Sequence, residues 1–213
     1  MMLCLEKRFI VAIDGLAAAG KGTIAKALSE KFGFCYLDTG LLYRAIASRV
    51  LDGNDPIQIA RAFDKSLLSA SDLRTAEVAS MASHVAAIPE VRAALVDFQR
   101  DFAHQPGGSV LDGRDIGTVI CPTANAKFFI TASSEVRAQR RFEELQKVGS
   151  KTTYDAVLSD VKERDVRDIS RKEAPLKAAK DAHIIDTTKL SIRNSVETVI
   201  SIVQTVLKNS EEF

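Results

Sequence analysis

A chain of 213 residues, 46% hydrophobic and 27% charged, is long enough for one globular domain carrying an inserted subdomain, and folding would bury about 70% of its unfolded surface. Lys and Arg total 29 against 28 Asp and Glu, so no net basic bias supports a dedicated nucleic-acid binder, and any anionic ligand must be met by local positive charge. Cys4, Cys35 and Cys121 form no C-x-x-C pair and His84, His104 and His183 no ligand-spaced cluster, which argues against a disulfide framework or a zinc site and for a reducing compartment.

The N-terminal MMLCLEKRF is too short and too charged for the apolar core of a signal peptide, and no run of 18 apolar residues follows, so neither membrane insertion nor export is expected. Phe9 to Ile13 then reads as a strand buried on both faces. Gly15-x-x-x-x-Gly20-Lys21 comes next, and from Thr23 the apolar spacing is helical, with Ile24, Ala27, Leu28 and Phe32 in one stripe and Gly33 suited to cap it. A strand, a glycine-rich loop and a helix in this order cradle a polyphosphate on backbone N–H groups and a helix N-terminus. Gly15 and Gly20 permit the tight turn and close approach, and Lys21 reaches the terminal phosphates as a point charge. One position departs from the strict pattern: Gly22 follows the lysine, and the hydroxyl comes a residue later, at Thr23. Nucleotide-type kinases commonly carry this GKGT variant. The loop reads as a nucleoside triphosphate site.

Phe34 to Leu37 is a short strand ended by Asp38-Thr39-Gly40, and Leu41 to Leu51 is helical. A strand end is where open α/β sheets bind ligands, so Arg44 is placed to fork onto an acceptor phosphate and Thr39 to offer a hydroxyl to a sugar, although an Asp-capped helix with a solvent-facing arginine fits the same residues. From Pro56 to His104 the pattern is alanine-rich and helical, with Pro89 at the first position of a helix. Residues from about 45 to 108 therefore form a helical insertion.

Ser109 to Leu111 is a strand leading into Asp112-Gly113-Arg114-Asp115-Ile116-Gly117. Asp112 is placed like a carboxylate that supports Mg²⁺ through water, and Arg114 and Asp115 would face the acceptor; a solvated turn is the plainer reading. Lys127 to Thr131 is a strand, Ser133 or Ser134 an N-cap, and Glu135 to Lys147 a helix ending at Gly149. Arg137, Arg140 and Arg141 share one face of it, as a lid over phosphates requires, while Glu144, four residues after Arg140, offers an ordinary salt-bridged surface. On the polar helix from Thr153 to about Arg171, Arg164, Arg167 and Arg171 fall along one side with Asp168 four residues after Arg164. His183 to Asp186 is the last strand, and Ser191 caps a C-terminal helix whose Ile192, Val196, Val199, Ile200, Val203, Val206 and Leu207 repeat at helical spacing. Strands alternating with helices predict an α/β fold with a parallel sheet between helical layers.

The segments GLAAAGKGT, DTGLLYR, LDGRDIGTV and ERDVRDISRKEAPL, in this order and spacing, closely resemble the bacterial cytidylate kinase (CMP kinase) family, from about Phe9 to the final helix. The resemblance implies a P-loop three-layer sandwich with a five-stranded parallel sheet, a core over about 1–44 and 108–213, a helical monophosphate-binding insertion over about 45–107 and a small lid over about 137–152. It implies transfer of the γ-phosphoryl group of ATP to CMP or dCMP with Mg²⁺; from the lack of an apolar leader or span a cytoplasmic protein is expected, and a monomer. By position, it assigns Gly15, Leu16, Ala17, Ala18, Ala19, Gly20, Lys21, Gly22 and Thr23 to ATP, and Thr23 and Asp112 to the metal. Arg44 and Arg114 fall to the acceptor phosphate, Thr39 and Asp168 to the sugar, and Arg164 near both. Ser83, Arg92, Asp115 and Arg171 would read the base, with Arg137, Arg140 and Arg141 in the lid. Cytosine presents an N4 donor beside N3 and O2 acceptors, which suits a carboxylate and a hydroxyl next to arginines.

Two departures from the family pattern stand out. Thr39 replaces a frequent Ser and keeps the hydroxyl, and only residues 50–74 connect the second helix to the helix bearing Ser83, with helical rather than strand character. The insertion is thus expected to be short and all-helical. Two other readings of the residues are a kinase for another acceptor, such as UMP, a sugar or shikimate, and a nucleotide-dependent switch. The switch lacks an N/T-K-x-D guanine-reading motif.

Overall fold

The computed structural model describes residues 8–211, with side chains as far as residue 209; Cys4 and most of the segment weighed as a signal peptide lie outside the described residues. Strand β1, Ile10–Gly15, is buried along its whole length, as its apolar run requires. It lies at the centre of a five-stranded sheet with β2 (Cys35–Asp38), β3 (Ser109–Asp112), β4 (Ala126–Thr131) and β5 (His183–Asp186), in the order β2-β3-β1-β4-β5. All four pairings are parallel. Asp38 stands beside Asp112 in the register, and Thr131 beside Asp186, so the polar strand ends form a row along one edge. Strands β3 and β4 flank β1 on opposite sides, and the direction of winding reverses there. Ligands bind at such a reversal in open α/β sheets.

The alternation of side chains along β1 divides the core. Ile10 and Ala12 join Leu37 and Leu111 against helices α2 (Thr39–Leu51), α4 (Ala76–Val85) and α5 (Pro89–Ala103), through Leu42, Ile46, Val78 and Leu95. Val11 and Ile13 join Phe128 and Ile130 against α1 (Lys21–Phe32) and the C-terminal helix α8 (Ile192–Glu211), through Ile24, Leu28, Val199 and Val203. Three layers result. Burying each of the Val, Leu, Ile and Phe side chains among these stabilises the fold by about 1.5–3 kcal/mol before entropy is counted.

Between α2 and α4 lie the short helix α3 (Pro56–Arg61) and a 3₁₀ turn, Lys65–Ser69, so the insertion is helical among the described residues. Helices α6 (Ser134–Lys147) and α7 (Tyr154–Ser170) pair through a small cluster of Ala138, Val157 and Val161, beside which Phe142 and Tyr154 meet edge to face. The caps follow local chemistry: Ser133 and Thr153 accept backbone N–H groups three residues on, and Pro56 and Pro89 occupy first-turn positions.

Several element bounds shift by a residue or two from the expectation, and two local differences bear on the site. Helix α2 begins at Thr39, not Leu41, because strand passes directly into helix where the Thr39 hydroxyl donates to the Asp112 carbonyl at 2.8 Å. After β3 the chain makes a π-helical turn, Ile116–Ile120, that no sequence signal announces. A five-residue element is too short to display a period.

Candidate active site

The phosphate loop runs from the end of β1 to the first turn of α1, and its backbone takes positive φ at Gly15 (141°) and Gly20 (98°), where glycine carries no Cβ penalty, and also at Ala18 (58°), which does. Gly15 is obligatory for a second reason, since a Cβ there would overlap the carbonyl of Ile130 on the neighbouring strand. Lys21 is only 6% exposed, and its Nζ donates to the Leu16 carbonyl at 2.9 Å and lies 3.9 Å from Asp112 Oδ1. Burial, and then the nearby Arg114, pushes the Lys21 pKa down to about 8.

This loop floors a cleft of about 580 Å³ lined by residues 17–24, Tyr36, Asp38, Arg44, Arg140, Arg141, Arg164, Thr187 and Leu190, among others. A second hollow of about 190 Å³ is lined by Thr39, Arg44, Ser83, Arg92, Arg114, Asp115, Arg164, Asp168 and Arg171. The two share Ala17, Ala18, Lys21, Asp38, Arg44, Arg74 and Arg164. Residues scattered from the first strand to the seventh helix thus converge on one cationic junction between two compartments.

The inner hollow is built from ion pairs. Arg114 Nε donates to Asp168 Oδ2 at 2.8 Å, and Asp168 holds this charge against burial, which leaves its own pKa below the usual carboxylate range. Arg92 donates to the Asp115 carboxylate and lies 5.7 Å from the Tyr43 ring centroid. Other donors are left over. Arg164 Nε and Arg171 Nη2 are buried without a hydrogen-bond partner, each 3.9 Å from a carboxylate oxygen, of Asp168 and Asp115 respectively. Burial, with Arg114 and Arg44 nearby, pushes the Arg164 pKa down to about 10. Buried donors without partners carry a cost of about 1–3 kcal/mol each, which an anionic ligand relieves.

The arginines of α6 occupy different settings. Arg137 is 2% exposed and forks onto Asp165 of α7, with Nη1 and Nη2 at 2.9 and 2.6 Å from its two carboxylate oxygens. Arg140 donates to the hydroxyl and carbonyl of Thr187 at 3.0 and 2.9 Å, and that hydroxyl donates to the Ala19 carbonyl of the phosphate loop. Arg141 pairs with Glu144 at 3.2 Å, so the glutamate weighed as a partner of Arg140 serves its neighbour instead. Arg140 and Arg141 line the cleft, whereas Arg137 braces α6 against α7 and reaches the loop through the Ala17 carbonyl at 3.5 Å.

Thr23 and Asp38 line the cleft beside the loop, and Asp112 Oδ1 lies 3.9 Å from Lys21 Nζ at the start of α1. Burial pushes the Asp112 pKa up to about 6, with Lys21 opposing and Asp38 reinforcing the rise, and Tyr36 donates its hydroxyl to Oδ2 at 3.4 Å. Oxygen donors with excess negative charge suit a hard divalent cation.

Some participants escaped sequence reasoning. Asp14, 3% exposed, accepts the backbone N–H groups of Ile116 and Gly117 at 2.7 and 2.8 Å. It ties the strand feeding the phosphate loop to the turn that carries Arg114 and Asp115. Burial pushes its pKa up to about 7 despite these two donors. Arg74 and Thr187 also line the cleft. A polar residue at the C-terminal end of a core strand is the signal that would have found Asp14 and Thr187.

A family model described as cytidylate kinase matches residues 11–71 and 63–205. The cytidylate kinase of Cereibacter sphaeroides is 54% identical over 197 residues, covering 92% of this chain and 96% of its own. That of Methylocella silvestris is 54% identical over 202 residues, covering 92% and 94%, and that of Rhizobium meliloti 46% over 207 residues, covering 94% and 98%. An uncharacterized protein from Eubacterium ventriosum shares the fold at a TM-score of 0.59 and 17% identity, over 93% of this chain and 99% of that one.

Proposed function

The chain belongs to the cytidylate kinase family, and from that premise we propose how its residues transfer the γ-phosphoryl group of ATP to the 5′-phosphate of CMP or dCMP, giving ADP and CDP or dCDP. The observation that carries the reading is the shared wall of the two hollows, where Lys21, Arg44 and Arg164 stand between the loop side and the inner side. Two polyanions brought end to end there would repel one another, and the surrounding cations offset that repulsion.

ATP lies with its phosphates over residues 15–23 and its base toward Thr187 and Leu190. CMP lies in the inner hollow, its phosphate met by Arg44 and Arg114, its sugar by Thr39, Asp168 and Arg164, and its base by Ser83, Arg92, Asp115 and Arg171. Transfer is direct and in line: an acceptor phosphate oxygen attacks, and the bond to the β–γ bridging oxygen breaks. No general base is needed, because the attacking group is already an anion. Lys21 holds charge near the terminal phosphate, and Arg140 and Arg141 cover it from α6. Thr23 and Asp112 would hold Mg²⁺, which when bound screens the phosphate charges. Uracil, with its donor and acceptor reversed at positions 3 and 4, would leave Asp115 facing an acceptor. We further propose that residues 45–107 and about 137–152 act as monophosphate-binding insertion and lid, and that the enzyme is a cytoplasmic monomer; among the described residues no helix is long and apolar enough to cross a membrane.

A panel of acceptors with MgATP tests this reading. CMP and dCMP should be phosphorylated at least tenfold faster than UMP or AMP, and faster turnover of either of those would overturn it.

A further inference from the structure

Ser83 sits on α4 in the inner hollow, 5% exposed, and its Oγ is held from an unexpected quarter. Arg167 of α7, which lines neither hollow, donates from Nη1 to that oxygen at 2.9 Å across 84 residues of sequence. A guanidinium has no acceptor, so the serine is the acceptor in this bond by necessity. Its remaining assets are one O–H and one lone pair, and among the described residues the O–H makes no hydrogen bond to a protein acceptor. Two neighbouring arginines make their own contacts: Arg92 with Asp115 and the Ala86 carbonyl, and Arg171 through Nε with the Ala174 carbonyl.

We propose that Arg167 is a positioning residue that fixes Ser83 as a hydrogen-bond donor toward the base and thereby favours cytosine over uracil. Accepting from a cation polarises the hydroxyl and strengthens its own donation. A donor at Ser83 beside an acceptor at Asp115 matches the ring N3 acceptor and N4 donor of cytosine. Uracil presents O4 to the aspartate, and its N3–H meets only the one lone pair that Arg167 leaves on the serine, which the cation already bound there makes a poor acceptor, so both positions are disfavoured together. This inference rests on the reading above in which Ser83 faces the base.

The test compares kcat/KM for CMP and for UMP in the parent enzyme and in Arg167→Met, Arg167→Lys and Ser83→Ala. Arg167→Met removes the donor and keeps the stem, and the ratio of CMP to UMP should fall about tenfold, while KM for ATP is unchanged. Arg167→Lys restores a charged donor and should recover most of the ratio. Should Arg167→Met fail to fold by far-UV circular dichroism, Arg167→Ala carries the same comparison. A parental ratio in the folded Met or Ala variant overturns the inference, as does a fall in kcat for both nucleotides with the ratio intact, which is the mark of a merely structural bond. If Ser83→Ala itself leaves the ratio at the parental value, the base-reading role of Ser83 is what has failed, and the two failures are thereby distinguished.

Discussion

Asp14→Asn is a nearly isosteric change that puts one number on the link between the phosphate loop and the acceptor side. The carboxylate accepts two backbone N–H groups, one on each oxygen, at 2.7 and 2.8 Å, and is 3% exposed. A carboxamide keeps one of these bonds and turns its amino group toward the other N–H, leaving two buried donors face to face. Above about pH 7, where the group is a carboxylate in the fold, one charge-assisted bond is lost and one buried donor is orphaned, a cost of about 1–3 kcal/mol. For a domain of this size about 2 kcal/mol lowers the melting temperature by roughly 4–8 °C. The sign with pH can also be worked out. The folded pKa of Asp14 is about 7 against 3.8 unfolded, so between these values the folded state holds more protons and the group's contribution to stability declines as pH rises. Asparagine does not titrate, and the stability gap between parent and variant should therefore narrow from pH 5 to pH 7.5. Because the π-helical turn directly follows Arg114 and Asp115, KM for CMP should rise several-fold with KM for ATP nearly unchanged. Thermal melts at several pH values and steady-state kinetics with each substrate varied measure these effects. A melting temperature within about 1 °C of the parent, together with an unchanged KM for CMP, would refute the clamp.

Lys21→Ala should lower kcat by about 10² or more with the circular dichroism spectrum retained, and near-parental turnover would remove the loop lysine from the chemistry. Since Lys21 titrates at about 8 in the free enzyme, it is charged below that value and neutral above it; affinity for a fluorescent ATP analogue should weaken from pH 7 to pH 9.5, and Lys21→Ala should flatten that dependence. Asp115→Asn should lower the kcat/KM ratio of CMP to UMP about tenfold, because the carboxylate is the acceptor that an N4 amine requires and an O4 repels; an unchanged ratio rejects that role.

Much of this protein is local and was legible as such. The apolar run ahead of Gly15, the glycines and lysine of the loop, the helical period from Thr23 onward, the caps at Ser133 and Thr153 and the helical character of residues 56–104 each depend on neighbours within a few residues, whose spacing sequence displays directly. The tertiary structure decided what lies far apart in the chain: which strands adjoin β1, that Asp14 reaches Ile116, that Arg114 meets Asp168, that Arg137 braces α7 by Asp165, and that Arg167 finds Ser83. A polar side chain carries no periodic trace of its partner's address. The charge run on α7 has the spacing of a solvated face, yet Asp168 within it is buried, because only the packing of α7 over the inner hollow determines which of those charges leave water.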